Sequence, residues 1–344
     1  MKKCITAVLA AAFFALPSFA QWQGDSTVAI IAYWAKGDRA VYKTESTVTQ
    51  VRDSVETVRQ KSGGTTIIDI LDETDTSYVF RLGYRGLYDS VIENELVQQF
   101  SAELLDSLSM EFRTNEFGSL THILGAGDSS RKMCDRLPLV KKKYEKLIPR
   151  KDKQAREELE QLAGGYNALF SNTDALSDLC YLDVKDLLKY HGWEMDTTTS
   201  YTGSYTFEKV IGGQDVESEI ETWVDKESSD SAYVCVRSYA SLDNDSLMPI
   251  MEKSVESQFR SRTADEDELQ EYMSKWLEEA ASTNMEVTAE RYSTCIVHLG
   301  SGWPVVLGVK QVVRIKNDEE CFDQISITET NYAGSSLDEP AVTK

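Results

Sequence analysis

The chain has 344 residues, with 36 lysines and arginines against 57 aspartates and glutamates, so its formal net charge is −21. This balance disfavours nucleic acids and anionic lipid surfaces as partners, because lysine and arginine supply most contacts to phosphate groups. Hydrophobic residues make up 41% of the chain and aromatic residues 10%, which excludes disorder by composition and allows a large core.

The first 20 residues have the pattern of a secretory signal peptide. Lys2 and Lys3 precede an apolar run from Ile5 to Leu16, and the sequence Ser-Phe-Ala ending at Ala20 has small residues where a signal peptidase cuts. The run is shorter than the roughly 20 apolar residues that a membrane-spanning helix needs. We therefore expect cleavage after Ala20, no transmembrane segment in the mature chain, and a periplasmic or secreted protein.

Residues 21–125 are predicted to form an N-terminal β-rich half. Val28–Trp34 and Arg39–Val51 have the composition of strands and are predicted to pair as a hairpin. Gly63-Gly64 is predicted to be a turn. Two more strands follow, then a helix over residues 91–108, where apolar residues recur at every fourth position from Ile92 to Leu108. A hairpin around residues 115–118 completes this half.

Residues 126–192 are predicted to be a helical insertion. Its basic run, residues 141–143, is interpreted as a solvated helix face, with a docking patch for an acidic partner as the alternative. Cys134 and Cys180 fall in predicted helices of this segment. Because export permits disulfides, these two cysteines can pair, although both can equally be buried small hydrophobic residues.

Residues 193–332 are predicted to be a C-terminal β-rich half, and residues 333–344 a flexible tail. Both halves have the order strand, Gly-Gly turn, strand, polar turn, strand, helix, hairpin. The letters DTSYV at 75–79 also match DSAYV at 230–234, an offset of 155 that aligns Tyr84 with Tyr239. The sequence therefore predicts an α+β fold with predominantly antiparallel, curved sheet from two duplicated β-β-β-α-β-β blocks and a helical insertion. One sheet and two separate modules both remain open, and shared turn chemistry without shared origin is the alternative to duplication.

The sequence lacks recognisable catalytic or cofactor motifs. His122, His191 and His298 do not have the spacing of a metal site on a helix, and no phosphate-binding or dinucleotide-binding glycine loop is present. We therefore expect no cofactor and no metal, and we favour a protein without enzymatic activity.

Aromatic residues provide the candidate ligand-binding positions. Helices that cover one face of an antiparallel sheet can enclose an apolar cavity. The candidates on the predicted strands, turns and helices of the C-terminal half are Trp223, Tyr272, Trp276 and Trp303. The alternative is that these side chains simply fill a core, as aromatic residues commonly do.

Two short pieces carry a resemblance to known sequences. Residues 112–118, FRTNEFG, and residues 302–305, GWPV, resemble recurring pieces of exported Bacteroidetes proteins of unknown function, in which strand pairs turn through such sequences. The resemblance covers the two β-rich halves and implies no established activity. The expected architecture is similar to periplasmic lipid-carrier half-barrels, but a shared architecture does not imply a shared function.

Three hypotheses of function follow. The first is an exported, non-enzymatic binding protein that holds an apolar ligand, such as a hydrophobic small molecule or an envelope component, between sheet and helices. The second is an envelope or extracellular hydrolase that uses paired carboxylates. The third is a structural or interaction protein that uses an exposed sheet edge.

Overall fold

The computed structural model describes residues 22–23, 26–211, 213–262, 265–318 and 320–335. The predicted signal peptide, residues 1–20, lies outside these ranges, as does the predicted tail from residue 336 onwards. Within them the chain forms six helices and one large antiparallel sheet, which confirms the α+β class. No helix in the described part of the chain combines the length and apolar character needed to cross a membrane.

The strands are β1 (Trp22–Gln23), β2 (Thr27–Ala29), β3 (Arg39–Arg52), β4 (Val55–Thr74), β5 (Ser77–Asp89), β6 (Ser109–Thr114), β7 (Leu120–Leu124), β8 (Glu194–Asp196), β9 (Ser200–Ile211), β10 (Gln214–Val224), β11 (Tyr233–Leu242), β12 (Glu286–His298), β13 (Pro304–Lys316) and β14 (Cys321–Gly334). The helices are α1 (Glu95–Leu105), α2 (Ala126–Leu147), α3 (Lys153–Ser171), α4 (Thr173–Lys185), α5 (Asn244–Arg260) and α6 (Glu266–Ser282).

The two predicted halves share one sheet. Its eleven described strands have the order β7-β6-β5-β4-β3-β14-β13-β12-β11-β10-β9, and every neighbouring pair is antiparallel. The halves meet where the last strand, β14, pairs with β3 over a register that runs from Phe322 opposite Arg52 to Gly334 opposite Val41. The predicted tail therefore begins inside the sheet, since Ala333 and Gly334 belong to β14.

Two predictions for the N-terminal half are wrong: the hairpin of Val28–Trp34 with Arg39–Val51, and the turn at Gly63-Gly64. β2 pairs with β1 and β8 in a separate small sheet, and β3 pairs instead with β4. The chain turns between β3 and β4 at Asp53 and Ser54, both of which have a positive φ. Gly63 and Gly64 lie inside β4, where the pairing with β5 has an irregularity. Glycine in a strand interior often marks a close approach rather than a turn, and that is its role here.

The predicted duplication register does not match the faces of the sheet. Tyr84 on β5 is buried on the helix-covered face, whereas Tyr239 on β11 lies between the buried Ser238 and Ala240. Because side chains alternate along a strand, Tyr239 faces the opposite side, away from those helices. An offset of 155 therefore aligns residues on opposite faces, and a shift of one residue is needed to match them. The duplication itself remains a prediction.

The helices cover one face of the sheet in two groups. Helices α1 to α4 pack on β3 to β6, where the largest hydrophobic cluster includes Phe80, Phe100, Phe112 and Phe170. The last three of these helices make up most of the predicted insertion, residues 126–192. Helix α5 covers the other part of the sheet through Leu247, which belongs to a separate cluster.

The two sequence pieces behind the resemblance meet at one segment, residues 30–34. The amide of Ala32 donates to the carbonyl of Phe117 at 3.0 Å, and the amide of Tyr33 donates to Ser301 at 3.2 Å. Gly302 has a φ of 73°, and a side chain there would collide with the backbone of this segment. The two turns, Phe117 in one and Ser301 in the other, are 184 residues apart in the chain (301 − 117) and are bound to the same strip of backbone.

Candidate functional site

A cavity of about 730 Å³ lies between the sheet and helices α1, α3 and α4. Small-molecule sites in proteins are commonly clefts of roughly 300–1,000 Å³ with mainly apolar walls and a few polar groups. The lining residues come from all three helices and from strands β3, β4, β5, β13 and β14. The cavity therefore lies where the two halves of the sheet join.

The helices supply the apolar wall. Leu105 of α1 and Leu162 of α3 line the cavity, and helix α4 adds Leu179 and Leu182. A neighbouring face of α4, which includes Cys180, is buried in the core. Leu179 and Leu182 are 39% and 37% exposed, whereas Leu176, Cys180 and Val184 of the same helix are buried. Helix α4 thus has a second apolar surface, which faces open space in the cavity.

The sheet supplies a more polar wall. Thr44 and Thr330 face the cavity from adjacent strands, and their hydroxyls are hydrogen-bonded at 3.0 Å. Gly63 and Gly64 also line it, and a side chain at Gly63 would collide with the carbonyl of Thr44 and come within 3.1 Å of Tyr88. These two glycines therefore keep β4 close to its neighbours and leave space for the cavity.

Asp183 of α4 projects into the cavity and binds the opposite wall. The hydroxyl of Tyr84, on β5, donates to its carboxylate at 2.5 Å. Solvent reaches the residue from the cavity side, yet surrounding protein raises the pKa of the Asp183 carboxyl. The same burial, with the nearby carboxylate, raises the pKa of Tyr84 well above its usual value. A carboxyl with a raised pKa in a cleft is a common feature of functional sites.

Asp186, the C-terminal cap residue of α4, lies one turn further on and has a cationic partner. The guanidinium of Arg291, on β12, lies 2.6 Å from its carboxylate and also 4.8 Å from the ring centroid of Tyr205. The Arg291 side chain is 6% exposed, so this ion pair is largely removed from water. The two carboxylates of α4 thus bind the two halves of the sheet, Asp183 to β5 and Asp186 to β12.

Tyr42 contributes a polar group that is not used within the protein. It lines the cavity from β3, is fully buried, and its hydroxyl has no hydrogen-bond partner among the described residues. A buried donor left without a partner costs roughly 1–3 kcal/mol. The cavity wall therefore contains a hydroxyl whose hydrogen-bonding capacity is available.

A second cavity of about 610 Å³ shares Asp186 with the first. Its lining is richer in charge and includes Lys185, Lys189 and Glu208. Lys185 and Glu208 form an ion pair at 2.7 Å, and burial lowers the pKa of Lys189. This cavity is less suited to an apolar molecule than the first.

The four predicted ligand-binding residues lie elsewhere, and none of them lines either of these two cavities. Trp223 alternates with the buried Thr222 and Val224 and so points away from the helix-covered face. Tyr272 and Trp276 are on α6, where Tyr272 stacks on Phe259 of α5 with ring centroids 4.0 Å apart.

Trp303 is also placed in a packing role. It is buried and stacks on Trp34, with ring centroids 4.5 Å apart, beside the strip of backbone at residues 30–34. This arrangement agrees with the alternative interpretation of Trp303, in which its side chain fills the core. A direct part in ligand binding stays a prediction for all four positions.

Cys134 and Cys180, for which a disulfide and two buried thiols were both open, are free thiols in the structure. Cys134 is half-buried, and its sulfur lies 3.9 Å from the hydroxyl of Ser171. Cys180 is buried in the core, and that burial raises the pKa of its thiol to about 12. The burial of Cys180 fits the alternative interpretation of a buried small hydrophobic residue, whereas Cys134 is only half-buried.

Comparisons with known proteins leave the family open. No protein-family model and no curated protein matches the chain. Among solved structures, a lipovitellin structure concerned with lipid–protein interactions covers 90% of this chain at 9% identity, with a TM-score of 0.33. This chain spans only 26% of that one. Two structures of the attachment invasion locus protein Ail of Yersinia pestis each cover 87% of this chain. The sequence identity is 4% for the structure in complex with sucrose octasulfate and 5% for the other. These Ail structures match over 99% of their own length, with TM-scores of 0.16 and 0.14, and similarities this weak do not define a shared fold.

Sequence reasoning did not find the residues of this cavity. The available signal was in helix α4, where Leu179, Leu182, Asp183 and Asp186 fall on one face at helical spacing while Leu176, Cys180 and Val184 form another. A helix with apolar residues on two faces has more to bury than one neighbouring sheet can cover. That pattern predicts a second contact but does not say what it is.

Proposed function

We propose that this protein is an exported, non-enzymatic binding protein that holds an apolar or amphipathic ligand in the cavity between the sheet and helices α1, α3 and α4. The observation that carries the proposal is the exposure of Leu179 and Leu182 to an open space of about 730 Å³. Export rests on the signal-peptide pattern of residues 1–20.

The energetics favour an apolar occupant. Covering apolar surface is worth about 25 cal/mol per Å², and a ligand in the cavity would cover leucines from three helices at once. Exposed apolar side chains gathered in a concave wall are typical of binding sites, whereas single exposed leucines are ordinary. The hydroxyls on the sheet wall and the carboxylates of Asp183 and Asp186 beside the leucines suit the polar end of an amphipathic molecule.

A hydrolase is the second candidate, because Asp183 has a raised pKa and Asp186 lines the same cavity. The two residues are three apart on one helix, so their carboxylates belong to the same wall. Hydrolysis by paired carboxylates requires one group on each side of the bond that is broken. Asp186 is also engaged by Arg291. The arrangement therefore supports binding better than hydrolysis.

The proposal is tested with N-phenyl-1-naphthylamine, an uncharged apolar molecule that fluoresces in dry surroundings. We expect saturable fluorescence enhancement with the wild type and a clear loss of affinity in Leu182→Gln, which places an amide in the apolar wall. Leu139→Gln is the matched control, because Leu139 is 70% exposed on α2 and does not line the cavity.

Two results would count against the proposal: the absence of saturable binding, or equal effects of the two substitutions. Native mass spectrometry of protein isolated from the cell envelope adds an independent measurement. We expect a bound molecule that accompanies the wild type and Leu139→Gln but is depleted in Leu182→Gln.

A further inference from the structure

We propose that the cavity selects amphiphiles that carry a protonated amine, with the ammonium group paired to the carboxylate of Asp183 and the apolar part against the leucines of the helices. This inference rests on the proposed binding function and specifies the chemistry of the ligand.

The charges that line the cavity all have one sign. Asp89, Asp183 and Asp186 line it, and its described lining contains no lysine, arginine or histidine. An anionic head group, such as a fatty acid carboxylate, would meet only like charge there. Repulsion between like charges in a poorly solvated site is strong, because the effective dielectric constant is low. The cavity therefore disfavours anionic amphiphiles.

Asp183 is the carboxylate left without a cation. Asp186 is paired with Arg291, and Asp89 accepts hydrogen bonds from the side-chain amide of Gln60 at 2.8 Å and the backbone amide of Val91 at 3.0 Å. Asp183 accepts from the neutral hydroxyl of Tyr84 and has no ion pair within the described part of the chain. A ligand cation would supply the missing charge.

The surroundings of Asp183 strengthen this preference. The residue is exposed to the open cavity, yet nearby protein atoms raise the pKa of its carboxyl, so its ionised form is less stable than that of a carboxylate in bulk water. A cation placed beside it gains more than it would beside a solvated carboxylate. Tyr84, Tyr88 and Tyr166 also line the cavity, and aromatic rings attract ammonium groups through their electron-rich faces.

A second observation independently indicates a polar ligand group. The hydroxyl of Tyr42 is in the wall of the same cavity, fully buried and without a hydrogen-bond partner among the described residues. A purely hydrocarbon ligand would leave this group unused. An amine offers N–H donors to Asp183, and a further polar atom on the ligand can bond to Tyr42.

The test compares three probes that share a ten-carbon chain: decylamine, decanol and decanoate. Isothermal titration of the purified protein is expected to give the order decylamine, then decanol, then decanoate. Asp183→Asn should weaken decylamine binding about tenfold, because it removes the carboxylate that pairs with the ammonium group, and should change decanol binding much less, because decanol has no charge. Asp178→Asn is the matched control, since Asp178 is exposed on the same helix and does not line the cavity.

The outcomes separate the two proposals. Tight binding of decanol with equal or tighter binding of decanoate would overturn the charge selection and leave the binding function intact. No binding of any probe would overturn the binding function itself. Decanol binding that is retained in Asp183→Asn shows that the cavity is intact in that variant. A decylamine affinity equal to that of the wild type would then refute the role of Asp183. A third readout is pH: decylamine affinity should fall as Asp183 becomes protonated.

Discussion

The hydroxyl of Tyr84 donates a hydrogen bond of 2.5 Å to the carboxylate of Asp183, which links strand β5 to helix α4 inside the cavity. The two residues are 99 positions apart in the chain. Surrounding protein raises the pKa of both groups, and the hydrogen bond from Tyr84 offsets part of the rise at Asp183. Asp183 is therefore an acid whose folded-state pKa lies above its unfolded value, the reverse of the usual stabilising carboxylate.

The first prediction concerns the stability of Asp183→Asn. Because the folded state holds the Asp183 proton more tightly, wild-type stability falls as pH rises from the unfolded value of 3.8 through the raised folded pKa. An asparagine does not ionise, so the variant avoids this loss. We expect the free energy of unfolding of the variant, relative to that of the wild type, to increase as pH rises. Urea unfolding across that range measures it, and a difference that does not change with pH would contradict it.

The second prediction concerns the ion pair between Arg291 and Asp186. Arg291→Met leaves the Asp186 carboxylate, whose side chain is 29% exposed, without its cation. Removing one partner of a largely buried pair is expected to cost about 3 kcal/mol. Arg81→Met is the control, because Arg81 pairs with Glu111 at 3.1 Å and the two side chains are 47% and 41% exposed, so its loss should cost less than about 1 kcal/mol. Equal losses of unfolding free energy would refute the distinction.

The third prediction concerns the glycines of β4. Gly63→Ala places a methyl group against the carbonyl of Thr44 and within 3.1 Å of Tyr88, so strands or rings must move. We expect a loss of about 1–3 kcal/mol from overpacking, together with weaker binding of N-phenyl-1-naphthylamine. Gly83→Ala on the neighbouring strand meets open space and should be close to neutral. Thermal or urea unfolding of both variants distinguishes these cases.

The fourth prediction concerns His191. Its Nε2 lies 2.7 Å from the carbonyl of Gly302, and burial lowers its pKa from 6.5 to about 4. As pH falls, the unfolded chain binds a proton at this residue before the folded protein does. The contribution of His191 to stability is therefore fully present above about pH 6.5 and falls by roughly 3 kcal/mol towards about pH 4. Replacing the residue, as in His191→Gln, should remove this part of the acid dependence. An unchanged dependence of urea unfolding on pH would contradict the assignment.

Local patterns predicted helix α1 well, for a physical reason. Apolar residues at every fourth position from Ile92 to Leu108 mark a helix face, and the structure has α1 at Glu95–Leu105. Asn94 caps it by accepting hydrogen bonds from the amides of Leu96 and Val97. These signals act over a few residues, so they can be interpreted without knowing the rest of the fold.

Patterns with more than one structural meaning failed. Gly63-Gly64 fits a turn as well as a close approach between strands, and only the pairing of β4 with both neighbours shows which applies. Gly213, in the corresponding position of the other half, has a positive φ between β9 and β10, where a turn was expected. The same two letters thus have different structural roles in the two halves, which is why the turn predicted at Gly63-Gly64 is wrong.

The sequence by itself determined the export pattern, the acidic balance, the α+β class, and the separation of helical and β-rich segments, because each follows from composition or short-range periodicity. Only the tertiary structure decided where the cavity lies and which residues line it. Tyr84 and Arg291 reach the neighbouring carboxylates Asp183 and Asp186 from strands 99 and 105 residues away. Contacts at such separations depend on strand order and on which side of each strand faces the helices. Neither is encoded in any local pattern of the chain.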